Sequence, residues 1–190
     1  MSTNTNAELF AFGDALGPAK IIYLHTPSVG LRAIVVIDNV AAGPAIGGTR
    51  MAPDVSVLEC FRLARAMTLK NAACSLRHGG AKSVIFGDPT MPRHEKERLI
   101  RAFACAIAPL VEYIPGPDMG TDESAMGWIH DEIGRAVGLP AEIGGIPLNE
   151  IGATGFGVAI AAEVAAPFAG LSLEGARVVV QGFGAVGEHA

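Results

Sequence analysis

Ser56-Val57-Leu58-Glu59-Cys60-Phe61-Arg62-Leu63-Ala64-Arg65-Ala66-Met67-Thr68-Leu69-Lys70 leads through His78-Gly79-Gly80-Ala81-Lys82 into Ser83-Val84-Ile85-Phe86. Ser56 with Glu59 three residues on is a capping-box pattern, in which a hydroxyl takes up a free helix N–H. Leu58, Phe61, Ala64 and Met67 recur at helical spacing and mark an apolar face, so a helix is expected from Ser56 to about Lys70. Ser83 to Phe86 reads as a strand that Gly87-Asp88-Pro89 breaks. A helix is thus fed through a glycine turn into a strand.

Both flanks repeat the alternation. Upstream, Lys20 to His25 and Leu31 to Asp38 read as strands joined by a Pro27-Ser28-Val29-Gly30 turn. Ala42 to Arg50 reads as a loop rich in small residues. Downstream, Glu95 to Leu110 reads as a helix with Leu99, Phe103, Ala106 and Leu110 on one side. A short apolar piece, Val111 to Ile114, and the loop Pro115 to Gly120 follow. Thr121 or Asp122 is expected to cap a helix carrying Met126, Ile129, Ile133 and Val137, with Gly138 stopping it. Gly144 to Gly152 reads as a loop, Ala153 to Ala169 as a helix, and Ala176 to Gln181 as a strand. Strands alternating with helices make the fold class α/β.

The chain has 190 residues, 50% hydrophobic and 17% charged, against about 25% charged in an average globular protein. Such a composition excludes general disorder. A net charge of −5 argues against a nucleic-acid partner, which draws Lys and Arg to its phosphates. Met1 to Ala11 is polar and lacks a signal-peptide core. No apolar run approaches the length of a membrane helix. A soluble, cytoplasmic protein with no membrane partner is expected. The three cysteines (60, 74 and 105) show no C-x-x-C pairing and read as reduced thiols. No metal site is visible, as there is neither H-E-x-x-H nor a Cys/His cluster.

Near the C-terminus, Gly182-Phe183-Gly184-Ala185-Val186-Gly187 is a G-x-G-x-x-G directly after the apolar run Val178-Val179-Val180. Gly182 and Gly184 would let the chain turn tightly and bring backbone to a pyrophosphate, and Gly187 would allow close helix packing. The alternative is a plain strand-turn-helix corner. The acidic residue expected about 20 residues on does not fall within the sequence. One strand of a doubly wound sheet also cannot bury its own faces. Residues 1–190 alone are therefore not expected to bind NAD. An unpaired strand here would also favour association or local disorder after Leu171.

Only four lysines occur, at 20, 70, 82 and 96. Lys70 closes an apolar helix in Met67-Thr68-Leu69-Lys70-Asn71-Ala72, and Lys82 follows two glycines. Each is either a solvated surface charge or part of a water-poor cleft. In a cleft, two ammonium groups depress one another's pKa, so that one holds a carboxylate while the other works as a base near neutral pH. Asp118, in Pro117-Asp118-Met119-Gly120, is either a turn aspartate or a proton-relay carboxylate facing that cleft. Thr154 stands at a helix start, where an N-cap role competes.

Taken in order, these motifs resemble the Glu/Leu/Phe/Val amino-acid dehydrogenase family. The resemblance rests on Gly43 to Met51, Met67 to Ala72, Gly79 to Ile85, Pro117 to Thr121, Ala153 to Val158 and the Gly182 turn. It implies a substrate-binding and dimerisation α/β domain over 1–150 and the start of an NAD(P)-binding Rossmann domain over 151–190. It implies oxidative deamination of a small-molecule L-amino acid to a 2-oxo acid and ammonia with NAD or NADP, by a homo-oligomer. Carried over by motif, Lys82 activates water and Asp118 shuttles the amine proton. Lys70 binds the α-carboxylate, while Gly47 and Gly48 line the substrate pocket. Thr154 lies near the nicotinamide, and Gly182, Gly184 and Gly187 carry the pyrophosphate. Glutamate-specific members place a lysine immediately before the Gly-Gly of the first loop. Ile46 stands there in this sequence, and an apolar residue cannot pair a side-chain carboxylate. An apolar amino acid is therefore expected over glutamate. The competing expectation is a non-catalytic dimerisation or amino-acid-binding module derived from such an enzyme.

Overall fold

A computed structural model describes residues 12–190. The polar stretch Met1 to Ala11 lies outside the described residues. The chain divides into two compact units, Met1–Gly145 and Ile146–Ala190.

The first unit is a five-stranded mixed sheet, and the α/β class read from the sequence holds. Its strands are β1 (Lys20–Thr26), β2 (Leu31–Asn39), β3 (Ala45–Ala52), β4 (Gly79–Phe86) and β5 (Tyr113–Pro117), in the order β1-β2-β4-β3-β5. β1, β2 and β4 pair antiparallel, whereas β3 runs parallel to both β4 and β5. The parallel strands are linked by α1 (Val57–Ala73) and, beyond β4, by α2 (Arg93–Ile107); α3 (Glu123–Ile133) follows β5. Parallel neighbours need such helical crossovers, which is why the sequence alternates as it does.

Alternation along the strands splits the core in two. Ala33, Val35, Ile37, Ala45, Met51, Ala81 and Ile85 pack with Leu99, Ile100 and Phe103 of α2 and Met126 and Ile129 of α3. On the other face, Ile34, Val36 and Val84 meet Cys60 and Ala64 of α1. Ser56 caps α1 as expected, its hydroxyl accepting from the Glu59 N–H. Three side chains pin α1 to the sheet. Arg65 Nε reaches the buried Asp38 at 2.8 Å, Thr68 Oγ1 donates to the same carboxylate at 2.6 Å, and Asn71 Nδ2 donates to the Gly79 carbonyl at 2.8 Å.

Several sequence expectations are corrected. Ala45–Ala52 is a strand rather than loop. Its small residues answer to crowding: a Cβ on Gly47 would lie 1.8 Å from the Ala81 carbonyl oxygen of β4. β4 begins at Gly79 for the same reason, a Cβ on Gly80 meeting the Thr68 nitrogen of α1 at 2.1 Å. Leu58 is exposed, and Cys60 takes its place on the buried face of α1. α3 stops at Gly134, which is left-handed at φ 67°, before Gly138 is reached.

The second unit holds α4 (Ala153–Ala165), a 3-10 turn at Ala166–Ala169 and the short helix α5 (Ala185–His189). A Cβ on Gly155 would sit 2.5 Å from His189 Cβ, so this glycine lets α4 and α5 cross closely. The strand expected over Ala176 to Gln181 is not formed, and Val178 and Val179 are exposed. No other strand is present in this unit. A backbone with no partner gains no ladder hydrogen bonds, which is what a strand needs. Of the βα unit expected here, the glycine turn and the helix are present without the strand.

Candidate active site

Lys82 lies midway along β4 and is only 5% exposed. Its side chain shares a sheet face with Ile46, Gly48 and Arg50 of β3, because the parallel register sets Ile46 beside Gly80 and Arg50 beside Val84. Asp118 follows the last residue of β5, at the carboxyl ends of the parallel strands where open α/β sheets bind ligands. The register pairs Thr49 with Pro117, which brings Arg50 next to Asp118.

Lys82 Nζ hydrogen-bonds Asp118 Oδ2, and Arg50 Nε donates to the same oxygen at 3.1 Å. Arg50 also pairs with Glu59 of α1. The Asp118 turn is fixed by Thr121, whose Oγ1 accepts from the Asp118 N–H at 3.0 Å and donates to the Thr49 carbonyl at 2.7 Å. Gly48 borders the pair: a Cβ there would lie 2.9 Å from Asp118 Cβ and 3.0 Å from Lys82 Nζ. On the opposite face, Tyr113 Oη, Ser83 Oγ and the Gly47 carbonyl form a buried network, with Tyr113 and Ser83 at 2.8 Å and Tyr113 and Gly47 at 3.2 Å. It braces from behind the strands that carry the site.

Burial pulls the Lys82 ammonium below the ordinary lysine range; Asp118 opposes this and Arg50 adds to it. Burial raises Asp118, but the hydrogen bond and charge of Lys82, the Met119 N–H and Arg50 outweigh it and hold the carboxyl below 3.8. The second cation at the site is Arg50, on β3, whereas Lys70 is exposed in the last turn of α1 and makes no ion pair among the described residues. Arg50 was missed as a site residue because its segment read as loop. Read as a strand, its two-residue period would have put Arg50 on the face of Gly48.

The signs of these shifts make a prediction. An Asp whose folded pKa is lowered stabilises above its unfolded value, and loses that stabilisation as pH falls through the folded value. A Lys whose folded pKa is lowered costs stability at neutral pH, and the cost is relieved as pH rises toward 10.5. Asp118→Asn should therefore remove acid sensitivity below 3.8 and steepen the gain in stability on the alkaline side. Urea unfolding across pH checks this; an unchanged pH dependence would contradict the paired geometry.

The other candidates fall as follows. Lys70 sits between Thr68 and Asn71, the two residues that anchor its turn to the sheet. Ile46 is half-buried and in register with Gly80 and Ile114. Gly47 is buried against β4. Thr154 is exposed in the first turn of α4, whose N-cap is Gly152. In the glycine turn, Gly182 is left-handed at φ 89°, and neither it nor Gly184 has an atom within 4 Å of where a Cβ would stand. Gly187 packs on the Gly182 carbonyl, 2.3 Å from where its Cβ would stand. The turn thus leaves its backbone open, as a pyrophosphate requires. Among the described residues no cluster could hold a metal, and no helix is long and apolar enough to cross a membrane. A surface hollow of about 540 Å³ is lined by Arg93, Trp128 and Glu142 among others and includes none of the Lys82 group.

Residues 18–135 match the family model for the Glu/Leu/Phe/Val dehydrogenase dimerisation domain, and residues 144–190 match that for glutamate/leucine/phenylalanine/valine dehydrogenase. The chain belongs to this family. It is 41% identical over 168 residues to an NADP(+)-dependent glutamate dehydrogenase of Pyrobaculum calidifontis, covering 82% of this chain and 40% of the relative. It is 38% identical over 189 residues to a leucine dehydrogenase of Geobacillus stearothermophilus, covering 96% of this chain and 51% of the relative. Among solved structures, it superimposes on a hetero-hexameric glutamate dehydrogenase of Thermus thermophilus in a Leu-bound form. That match has a TM-score of 0.82 and 36% identity, over 90% of this chain and 46% of the other. The chain thus spans about half the length of the dehydrogenases it matches. The similar glutamate dehydrogenases include both an NADP(+)-dependent and an NAD-specific one.

Proposed function

We propose that the protein oxidatively deaminates an L-amino acid with an apolar side chain, giving a 2-oxo acid and ammonia, with NAD or NADP as oxidant. The observation that carries this is the Lys82–Asp118 pair, its lysine buried and its carboxylate part-buried, packed so closely on Gly48 that a Cβ would not fit. Amine oxidation needs an acceptor for the ammonium proton and a base for the water that later adds to the imine carbon. Ionised Asp118 serves as the first. Lys82, its ammonium destabilised by burial, serves as the second once it has lost its proton. Lys70 holds the α-carboxylate from the end of α1. NAD or NADP, when bound, accepts the hydride. Gly182, Gly184 and Gly187 are the residues that would hold its pyrophosphate, and Thr154 is assigned to its nicotinamide end by motif.

Ile46 carries the substrate preference. It is on the Lys82 face and offers no charge to a substrate side chain. Ile46→Lys in the whole protein is expected to lower turnover of leucine-like substrates relative to glutamate, as read from initial rates on both. A gain on leucine would contradict the pocket assignment. The dimerisation-domain match, and the hetero-hexameric assembly of the Thermus relative, support an oligomer; the dimerisation domain is read as pairing copies of this chain.

A second reading is favoured by one observation, the unpaired run from Ala176 to Gln181. Residues 1–190 by themselves would then be an amino-acid-binding or dimerisation module. Calorimetry with NAD on residues 1–190 is expected to show no binding. Micromolar affinity would contradict that expectation and remove the ground for the second reading.

A further inference from the structure

Three charged groups, rather than two, meet at the site. Lys82 Nζ and Arg50 Nε both approach Oδ2 of Asp118, the arginine at 3.1 Å. Arg50 is held in turn by Glu59, the third residue of α1. In an ordinary capping box the Glu59 side chain would fold back onto Ser56. Here it reaches across to β3. Arg50 is 18% exposed and Asp118 20%, so both are sheltered from the screening that weakens surface pairs.

We propose that Arg50 is a positioning residue for the Lys82–Asp118 pair: anchored by Glu59, it holds Oδ2 of Asp118 and supplies a fixed positive charge there, so that Lys82 can lose its proton without leaving Asp118 unpaired. This rests on the deamination reading for its purpose. Lys82 must be neutral when it takes a proton from water, and a buried carboxylate that lost its only cation at that moment would be strongly disfavoured. A guanidinium stays charged throughout, so the pair is completed whichever state Lys82 is in. The same positive charge repels the Lys82 ammonium.

The charged and titratable groups around Lys82 are few. Arg50 faces it from β3, Cys60 from α1 and Asp118 from the end of β5, with Glu59 of α1 held on Arg50; Tyr113 lies on the other face. Burial pushes the Cys60 thiol up to about 12 and raises the Tyr113 hydroxyl as well, so both are neutral at working pH. Arg50 and Glu59 are therefore the groups that set the field on the pair.

The test is the titration of Lys82 itself, followed by NMR of the 190-residue chain with isotope-labelled lysine, free of substrate and cofactor. Only four lysines need assignment, which Lys→Arg variants at 20, 70 and 96 provide. Arg50→Gln is expected to raise the Lys82 midpoint by about one pH unit, and Arg50→Lys to leave it near the wild-type value. An unmoved or lowered midpoint in Arg50→Gln overturns the proposal, as does an Arg50→Lys midpoint that moves like Arg50→Gln. Should Arg50→Gln not fold, Glu59→Gln decides. Loss of the anion beside Arg50 should lower the midpoint, and no change or a rise overturns the proposal. The readout needs no turnover. An inactive whole protein with the expected titrations would refute the deamination reading while leaving the electrostatic role of Arg50 in place.

Discussion

Lys82→Met is expected to lower kcat for amino-acid oxidation by about 10²- to 10⁴-fold, the range a positioned acid–base group contributes, with KM changing far less. The argument runs from the strand outward. Lys82 is buried at the middle of β4, its ammonium is disfavoured by that burial, and it meets Asp118 beside the missing Cβ of Gly48. Methionine fills the same volume without a base. Asp118 keeps its contact with Arg50, so the carboxylate is not stranded and the variant should stay folded. Steady-state rates with the whole protein, beside its circular dichroism, make the check. A folded Lys82→Met protein within a factor of ten of wild type would show that Lys82 is not the base.

The second large effect concerns stability. A Cβ on Gly47 would come within 1.8 Å of the Ala81 carbonyl oxygen and 2.2 Å of its carbon. Both are backbone of a central strand, so nothing flexible can give way. Gly47→Ala must push β3 from β4 at the point where the strands carry Gly48 and Lys82. Overpacking typically costs about 1–3 kcal/mol, and an all-backbone clash falls at the upper end, about 3 kcal/mol. For a chain of this size that corresponds to a fall in Tm of roughly 6–12 °C. Gly48→Ala meets Asp118 Cβ at 2.9 Å, and Lys82 Nζ and the Pro117 carbonyl oxygen each at 3.0 Å. Its clash is milder than that of Gly47→Ala, so its Tm should fall less while the ion pair is displaced and turnover slows. Equal Tm for Gly47→Ala and wild type would contradict the strand assignment of 45–52.

Much of this molecule was legible before its structure. Ser56 and Glu59 announced α1, and Leu99 and Phe103 announced the buried side of α2. Lys82 and Asp118 stood out because charged residues amid glycine and apolar neighbours are costly unless used. What sequence concealed was β3. Ala45-Ile46-Gly47-Gly48-Thr49 carries turn-like glycines, yet they are present because neighbouring strands and the Lys82–Asp118 pair come too close for a Cβ. That is a tertiary cause, invisible to local propensity. With β3 misread, the register that aligns Arg50 with Asp118 was lost, and Arg50 with it. The opposite error occurred at Ala176 to Gln181. Its β-branched residues have strand propensity, but in this chain no second strand pairs with them.

The most direct test of the central claim uses the protein purified whole from its native source. Amino-acid-dependent reduction of NAD or NADP is measured with L-leucine and with L-glutamate side by side. The pairing of buried Lys82 with Asp118 and the apolar Ile46 predict reduction of one of the two dinucleotides with L-leucine, at a rate above that with L-glutamate. No reduction of either dinucleotide by any apolar L-amino acid, in a folded protein of full mass, would contradict the account.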